Sequence, residues 1–514
     1  MDLPPPIFNV ASCLRLAFDK IIETRPKSCD GNGTAGTERT KGAGILPPDR
    51  SVARMADGGV MYQVNTLASG TVRILGVVRR NGAFIRRVVG DVMRISGAVG
   101  LGQVLAFAAA PLLTRLYTPE AFGHFAVLGA LTNILLPLVS LRLNWALPLP
   151  QQDAVARDLL ALCIVVTAIS APLIAALGTL VQPTLADWIE VSVADVWLLT
   201  AALLATGLHE VAMSWLVRLR AFPQVASVRF ITLVGVVGFQ IAFAAHRPDA
   251  SSLLLGYIAG YLLGFIRGAY YCRATLLESV RGIDLRRLRR LAVEYRRFPL
   301  LATPSSILSG VSSQVPSLVL PSLYGLAVAG QWSLAARVLW QPAAFVGQAV
   351  SQVFWGNAAR LQWEDPKRLW LLFLFLIAGL LAIMMPALAL IWFGGELFSL
   401  IFGPAWEQAG HFAGIMVLSS VVSLASFGTE SLHIYGLNHW MAGWETARLA
   451  LIGCALALAW WLDLSATGCV AALTLASFVA YTSLIALNAL AICRIRARAG
   501  RIGAEPAPTN SAPP

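Results

Sequence analysis

The stretch LYTPEAFGHFAVLGALTNILLPLVSLRLNWALPLP, residues 116–150, decides the fold class. Its apolar part, 123–147, is as long as the ~20 residues an α-helix needs to cross hydrocarbon, and near its end stands a lone Arg142. Working outward, comparable apolar stretches lie near 95–114, 158–181, 196–217, 224–245, 252–271, 298–321, 328–355, 369–393, 409–432, 441–462 and 466–493. The whole chain is 57% hydrophobic and 13% charged, with a mean hydropathy of +0.69, which excludes a soluble globular protein. The expectation is an all-α integral membrane protein of about 12 transmembrane helices.

The arginines fall on one side of an alternating count. With the N-terminus cytoplasmic, inner loops hold Arg79, Arg80, Arg86, Arg87 and Arg94, then Arg218 and Arg220, Arg273 to Arg297, Arg360 to Arg368, and Arg494 to Arg501. Outer loops keep Arg115 and Arg247, and one carries Asp187, Glu190 and Asp195. Such a bias sets orientation, so both termini are expected inside. The net charge of +12 therefore reads as juxtamembrane clusters attracted to anionic membrane lipids, not as nucleic-acid binding. Cys13, Cys29, Cys163, Cys272, Cys454, Cys469 and Cys493 show no CxxC spacing, and neither a metal nor a cofactor is expected. Residues 1–90 carry no signal-peptide pattern and are rich in turn formers. They read as a disordered cytoplasmic extension or as a stretch upstream of a true start at Met55 or Met61.

The longest loop divides the spans six and six. The expected organisation is an N-lobe at 91–271, a basic amphipathic linker at 272–297, a C-lobe at 298–493 and a disordered tail at 494–514. In the linker, Leu285, Leu288, Leu291, Tyr295 and Phe298 fall at helical spacing among Arg286, Arg287, Arg289 and Arg290, the pattern of a helix lying in the membrane interface. The halves also resemble each other. LYTPEAFGHFAVLGALTNI (116–134) and LYGLAVAGQWSLAARVLWQ (323–341) pair Leu116 with Leu323, Tyr117 with Tyr324 and Gly123 with Gly330 at one constant offset. A weaker pair sets ATGLHE (205–210) beside ASFGTE (425–430). Six spans repeated from the same starting side imply two six-helix lobes related by a pseudo-two-fold along the membrane normal.

Residues 96–156, above all LLTRLYTPEAFG and SLRLNWALPLP, together with WLVRLRAFPQVASVR (215–229), LIFGPAWEQAGHF (400–412) and Gly468 to Ala472, resemble the polysaccharide transporter family. These are the Wzx-type oligosaccharide flippases of the multidrug/oligosaccharidyl-lipid/polysaccharide exporter superfamily. The resemblance covers roughly 93–495, and Asn144 stands where members often carry an acidic residue. It implies a non-enzymatic flippase in the bacterial inner membrane. Its cargo would be an undecaprenyl-diphosphate-linked glycan, moved from the cytoplasmic to the periplasmic leaflet for O-antigen, capsule or exopolysaccharide assembly, with a polymerase and a chain-length regulator as partners.

A diphosphate crossing ~30 Å of hydrocarbon needs a hydrated cationic path. Arg142, Arg337 and Arg115 lie at different depths and could form it, because the guanidinium fork binds phosphate oxygens in pairs and stays charged. Span-end anchoring is the plainer reading of Arg115 and Arg142. Glu210 and Glu430 are intramembrane carboxylates suited to coupling transport to an ion gradient, or else paired with Arg218 or Arg448. His209 is as easily packed as proton-relaying. An ion-coupled drug or metabolite exporter and a membrane-embedded glycosyltransferase or ligase are the other readings. The first would favour carboxylates and aromatics over arginines, and the second needs a large outer loop with a catalytic acid. The charge bias has a direct check. A single cysteine at Gly282→Cys in a cysteine-free background should resist a membrane-impermeant thiol reagent in intact cells and react once the membrane is opened; labelling from outside would invert the topology.

Overall fold

The computed structural model describes residues 100, 102, 104–105, 107–189, 191–281 and 284–502, so the readings for 1–90 and for most of the tail lie outside the described residues. The described chain is helical with no strand. In order come α1 (Phe107–Leu116), α2 (Pro119–Ser140), a 3₁₀ turn (Leu143–Ala146), α3 (Asp153–Ile189), α4 (Val193–Arg218), α5 (Phe222–Ala244) and α6 (Ala250–Tyr271). The short α7 (Arg273–Arg281) and α8 (Leu285–Glu294) follow, then a π-helical turn (Phe298–Ala302) and α9 (Thr303–Tyr324). The last part holds α10 (Leu326–Glu364), α11 (Pro366–Met384), α12 (Leu390–Phe402), α13 (Glu407–Thr429), α14 (Asn438–Trp461) and α15 (Ala466–Ile502).

Polar residues at the helix starts show why the breaks fall where they do. Thr118 caps α2 by accepting from the Ala121 N–H (3.4 Å), with Pro119 in the first turn. Ser192 and Asp195 form a reciprocal capping box at α4, and Asp249 and Asp365 cap α6 and α11. Nine described helical segments are long and apolar enough to cross a membrane, which makes this a multi-pass membrane protein. The first expected span is described in part, at residues 100, 102, 104–105 and from 107 on. The expected seventh and eighth are α9 and α10, long enough to cross but less apolar than the nine.

Helices α2 to α6 pack on one another, α10 to α15 pack on one another, and the groups meet where α2 lies against α9 and α10. The most apolar 18 residues of Pro404–Thr429 are 78% buried and form the centre of the second group, whereas those of Pro366–Phe402 are 11% buried and turn apolar surface outward. Close approach comes from glycine. On α6, Gly256, Gly260 and Gly264 recur every fourth residue against Gln240, Val236 and Thr232 of α5, so that any Cβ there would strike the neighbouring helix.

The meeting of α2 and α10 is reciprocal. A Cβ on Gly123 would overlap the Leu326 carbonyl, and one on Gly330 would overlap the Pro119 carbonyl. Gly123 and Gly330 carry the same offset as Pro119 and Leu326, so this contact has the local two-fold symmetry of an isologous interface. Around it the two groups are sealed. The Trp406 indole N–H donates to the Thr114 carbonyl (2.8 Å), the Phe122 ring meets Trp406 edge-on at 5.0 Å, and buried Tyr117 donates to the Gln240 carbonyl (2.6 Å). Burial, and secondarily the nearby Asp249 carboxylate, pushes the Tyr117 phenol up to about 12, so it remains a donor throughout the physiological range.

The linker is two helices instead of one. Asp284 accepts from the Arg286 N–H and starts α8, whose Leu288 and Leu291 are buried with Leu159, Leu160 and Cys163 of α3. Leu285, on the same apolar stripe expected toward lipid or protein, is 78% exposed. Arg286, Arg287, Arg289 and Arg290 are all exposed, a cationic band at one end of the bundle. Gly260→Val should lower the melting temperature markedly, because overpacking costs about 1–3 kcal/mol or more. Gly238→Val on α5, where a Cβ meets nothing within 4 Å, should melt like wild type in the same assay.

Candidate functional site

Helix α2 ends at Ser140, and the next two residues, Leu141 and Arg142, take left-handed backbone angles (φ 47° and 54°). Non-glycine residues hold that conformation at a cost of order 1 kcal/mol each, so surrounding contacts must enforce it. They are on hand. Arg142 places Nη1 3.7 Å from a Glu210 carboxylate oxygen of α4, donates through Nε to the Ser306 hydroxyl of α9 (3.0 Å), and lies 4.5 Å over the Trp145 ring. Buried Asn144 donates its amide to the same Glu210 oxygen (3.3 Å) and accepts from Ser140 (3.2 Å). Asn144 and Arg142 thus converge on one carboxylate oxygen supplied from another helix. Arg142 also ties the first group of helices to α9.

The alternatives for the glutamates resolve differently. Arg218 pairs with Asp153 (2.8 Å) and donates to the Leu147 and Pro150 carbonyls, and Arg448 pairs with Glu445 (2.9 Å), so neither holds Glu210 or Glu430. Glu430 lies just past the end of α13, not within a helix as Glu210 does; the repeat pairing 205–210 with 425–430 therefore does not set the two in equivalent places. Its carboxylate accepts from the Leu432 N–H and meets His433 Nδ1 at 3.0 Å, while Trp355 of α10 donates to its carbonyl. Among the described residues, His433 Nε2 is buried without a hydrogen-bond partner. This polar turn escaped the sequence reading, although Glu430 and His433 at i,i+3 were a visible signal. His209 is packed: its ring meets Tyr261 edge-on (5.1 Å), with Gly264 directly alongside, and its Nδ1 has no hydrogen-bond partner among the described residues.

Arg337 is half-buried on α10, with no hydrogen bond or ion pair among the described residues. It falls on the same helical face as Gly330, Gln341 and Gln348, and both glutamines are exposed. On α9, Ser305, Ser309 and Ser313 are exposed at four-residue spacing. Polar stripes on helices of spanning length explain their reduced apolarity, since such groups face water or protein in place of hydrocarbon. Arg115 is exposed at the sealed end, one residue from the Thr114–Trp406 bond and the ~33 Å length of α2 away from Arg142, so the two arginines cannot act together on one headgroup. The Arg142–Glu210 pair predicts non-additive substitution. Arg142→Gln and Glu210→Gln together should cost less than their sum by about 1 kcal/mol in a melting-derived double-mutant cycle, and strict additivity would show the charges uncoupled.

Among solved structures, a multidrug resistance MATE family transporter of the MOP superfamily in an inward-facing conformation is 13% identical, covering 80% of this chain and 99% of its own, with a TM-score of 0.48. The lipid II flippase MurJ in an inward closed conformation is 12% identical, covering 83% and 91%, with a TM-score of 0.49. A search of curated proteins finds no match. The family described as "Polysaccharide biosynthesis protein" matches residues 112–411, which spans α2 to α12, the Gly123–Gly330 contact, Arg142, Glu210 and Arg337. On this match over more than half its length, the chain belongs to the polysaccharide biosynthesis protein family.

Proposed function

We propose that the protein is a flippase for an undecaprenyl-diphosphate-linked oligosaccharide, acting in a bacterial inner membrane from the cytoplasmic to the periplasmic side. The observation that carries the reading is Arg337, an unpaired guanidinium on a polar stripe of a family member's spanning helix. A half-buried charge without a partner is costly, and a diphosphate would offer it paired oxygens.

Depth orders the remaining groups. Gly330 to Arg337 is two helical turns, about 10 Å, whereas Gly123 to Arg142 is ~28 Å. With the glycines in contact, the two arginines stand ~18 Å apart along the axis, too far to hold one diphosphate together. They would act in turn, Arg142 near the arginine-rich end and Arg337 close to the sealed end. At Arg142 the incoming anion would compete with Glu210, and protonation of Glu210 would release the guanidinium. This supplies a physical route for ion coupling. Glu430, held against His433, is the second coupling candidate. Exposed Arg286, Arg287, Arg289 and Arg290 on α8 would attract anionic lipid at that same end. A polymerase and a chain-length regulator are the expected downstream partners, and the chemistry calls for no cofactor.

Surface glycan in a strain lacking its own flippase tests the reading. Arg337→Ala should abolish export at unchanged protein abundance, and Arg337→Lys should restore it in part by keeping charge while losing the fork. Full export by the alanine variant would remove Arg337 from the path.

A further inference from the structure

Helices α14 and α15 enclose a groove of about 520 Å³ between Trp440, Gly443, Trp444 and Ala447 on one side and Ser483, Ala486, Leu487 and Leu490 on the other. Its floor offers almost no hydrogen bonding. The Ser483 hydroxyl and the Trp444 indole N–H both donate to the Ala480 carbonyl (2.7 Å each), so these two polar groups of the lining are already engaged. Small residues make the trough: Gly443, Ala447 and Ala486 are exposed, and a Cβ on Gly443 would meet nothing within 4 Å. From Leu490 to Ser483 the groove runs two turns, about 10 Å, along helices apolar enough to span.

Charge is confined to one end. Arg494, one turn beyond Leu490, is exposed and stacks 4.7 Å over the Trp440 ring. It has no ion pair among the described residues, and the Trp440 indole N–H has no hydrogen-bond partner among them. Arg496 lies on the same turn, 5.6 Å over Trp370. Arg448, further along α14, is neutralised by Glu445. The groove is therefore apolar along its length and cationic at its mouth, at the level where aromatic residues mark the headgroup region.

We propose that this groove is a binding site for one anionic glycerophospholipid of the leaflet at the arginine-bearing end. One acyl chain lies between α14 and α15, and the phosphate sits on Arg494 and the Trp440 N–H. The site is separate from the Arg142 and Arg337 path and requires no particular transported substrate.

Native mass spectrometry of the purified protein with added phosphatidylglycerol or phosphatidylethanolamine tests it. Phosphatidylglycerol should be retained in preference, and Arg494→Gln should weaken its retention about fivefold, as expected for one basic residue at a membrane surface. Gly443→Phe should block the groove to a similar degree. Gly453→Phe, an exposed position of the same helix where a Cβ also meets nothing, should bind as wild type does, and matched melting temperatures would show the variants folded. Equal retention of both lipids, wild-type binding by Arg494→Gln and Gly443→Phe, or displacement of phosphatidylglycerol by an equimolar polyprenyl diphosphate would each overturn the assignment.

Discussion

The close crossing of α2 and α10 is the constraint on which the remaining arrangement rests. Two positions without a Cβ, Gly123 and Gly330, let each helix admit the other's carbonyl, and the contact is the same read from either side. No other residue fits both places, because a methyl group would collide with backbone that cannot swing aside. Once the helices meet there, Phe122, Tyr117 and Trp406 lie within reach of one another and close that end with aromatic surface and two buried hydrogen bonds. The same crossing fixes depth: everything on α2 and α10 is measured from it, including Arg142 and Arg337, which we propose meet the transported anion.

Below the crossing the molecule separates two solvents. Segment Pro366–Phe402 is little buried and, but for Lys367, Arg368, Glu396 and Ser399, apolar, whereas α9 and α10 trade apolarity for serines, glutamines and arginines. That trade makes sense for helices lining a hydrated path. Arg142 belongs to both lining and seam, because it holds Glu210 within the first group and Ser306 on α9. In the proposed mechanism an anion that draws Arg142 away from Glu210 would also loosen its link to Ser306, so that binding would be coupled to the joint between the helix groups.

The membrane class, the helix order and the glycine pairing could all be read from the sequence because each is a local or periodic signal. Apolar length marks a span, and Leu-Tyr followed at fixed distance by Gly marks a repeat. The partners of charged groups were less accessible. Glu210 is 66 positions from Asn144, and only folding shows that the amide replacing an acid after Arg142 reaches a carboxylate on α4. The glycine ladder on α6 was visible as a four-residue period yet is silent about its mate, α5. Glu430 looked intramembrane because apolarity continues past Thr429, but the helix stops there and the chain turns. The linker broke in two because Asp284 offers a cap that an uninterrupted amphipathic pattern conceals.

Transbilayer movement itself is the most direct measure of the central claim. In vesicles reconstituted with the purified chain and a fluorescent polyprenyl-diphosphate-linked oligosaccharide, the fraction of glycan open to an added glycosidase should rise above the half already exposed in protein-free vesicles and approach completeness as inner-leaflet lipid is moved outward. It should remain at the protein-free level when Arg337 is alanine. Glycan exposure no greater with the wild-type protein than without it would contradict the account.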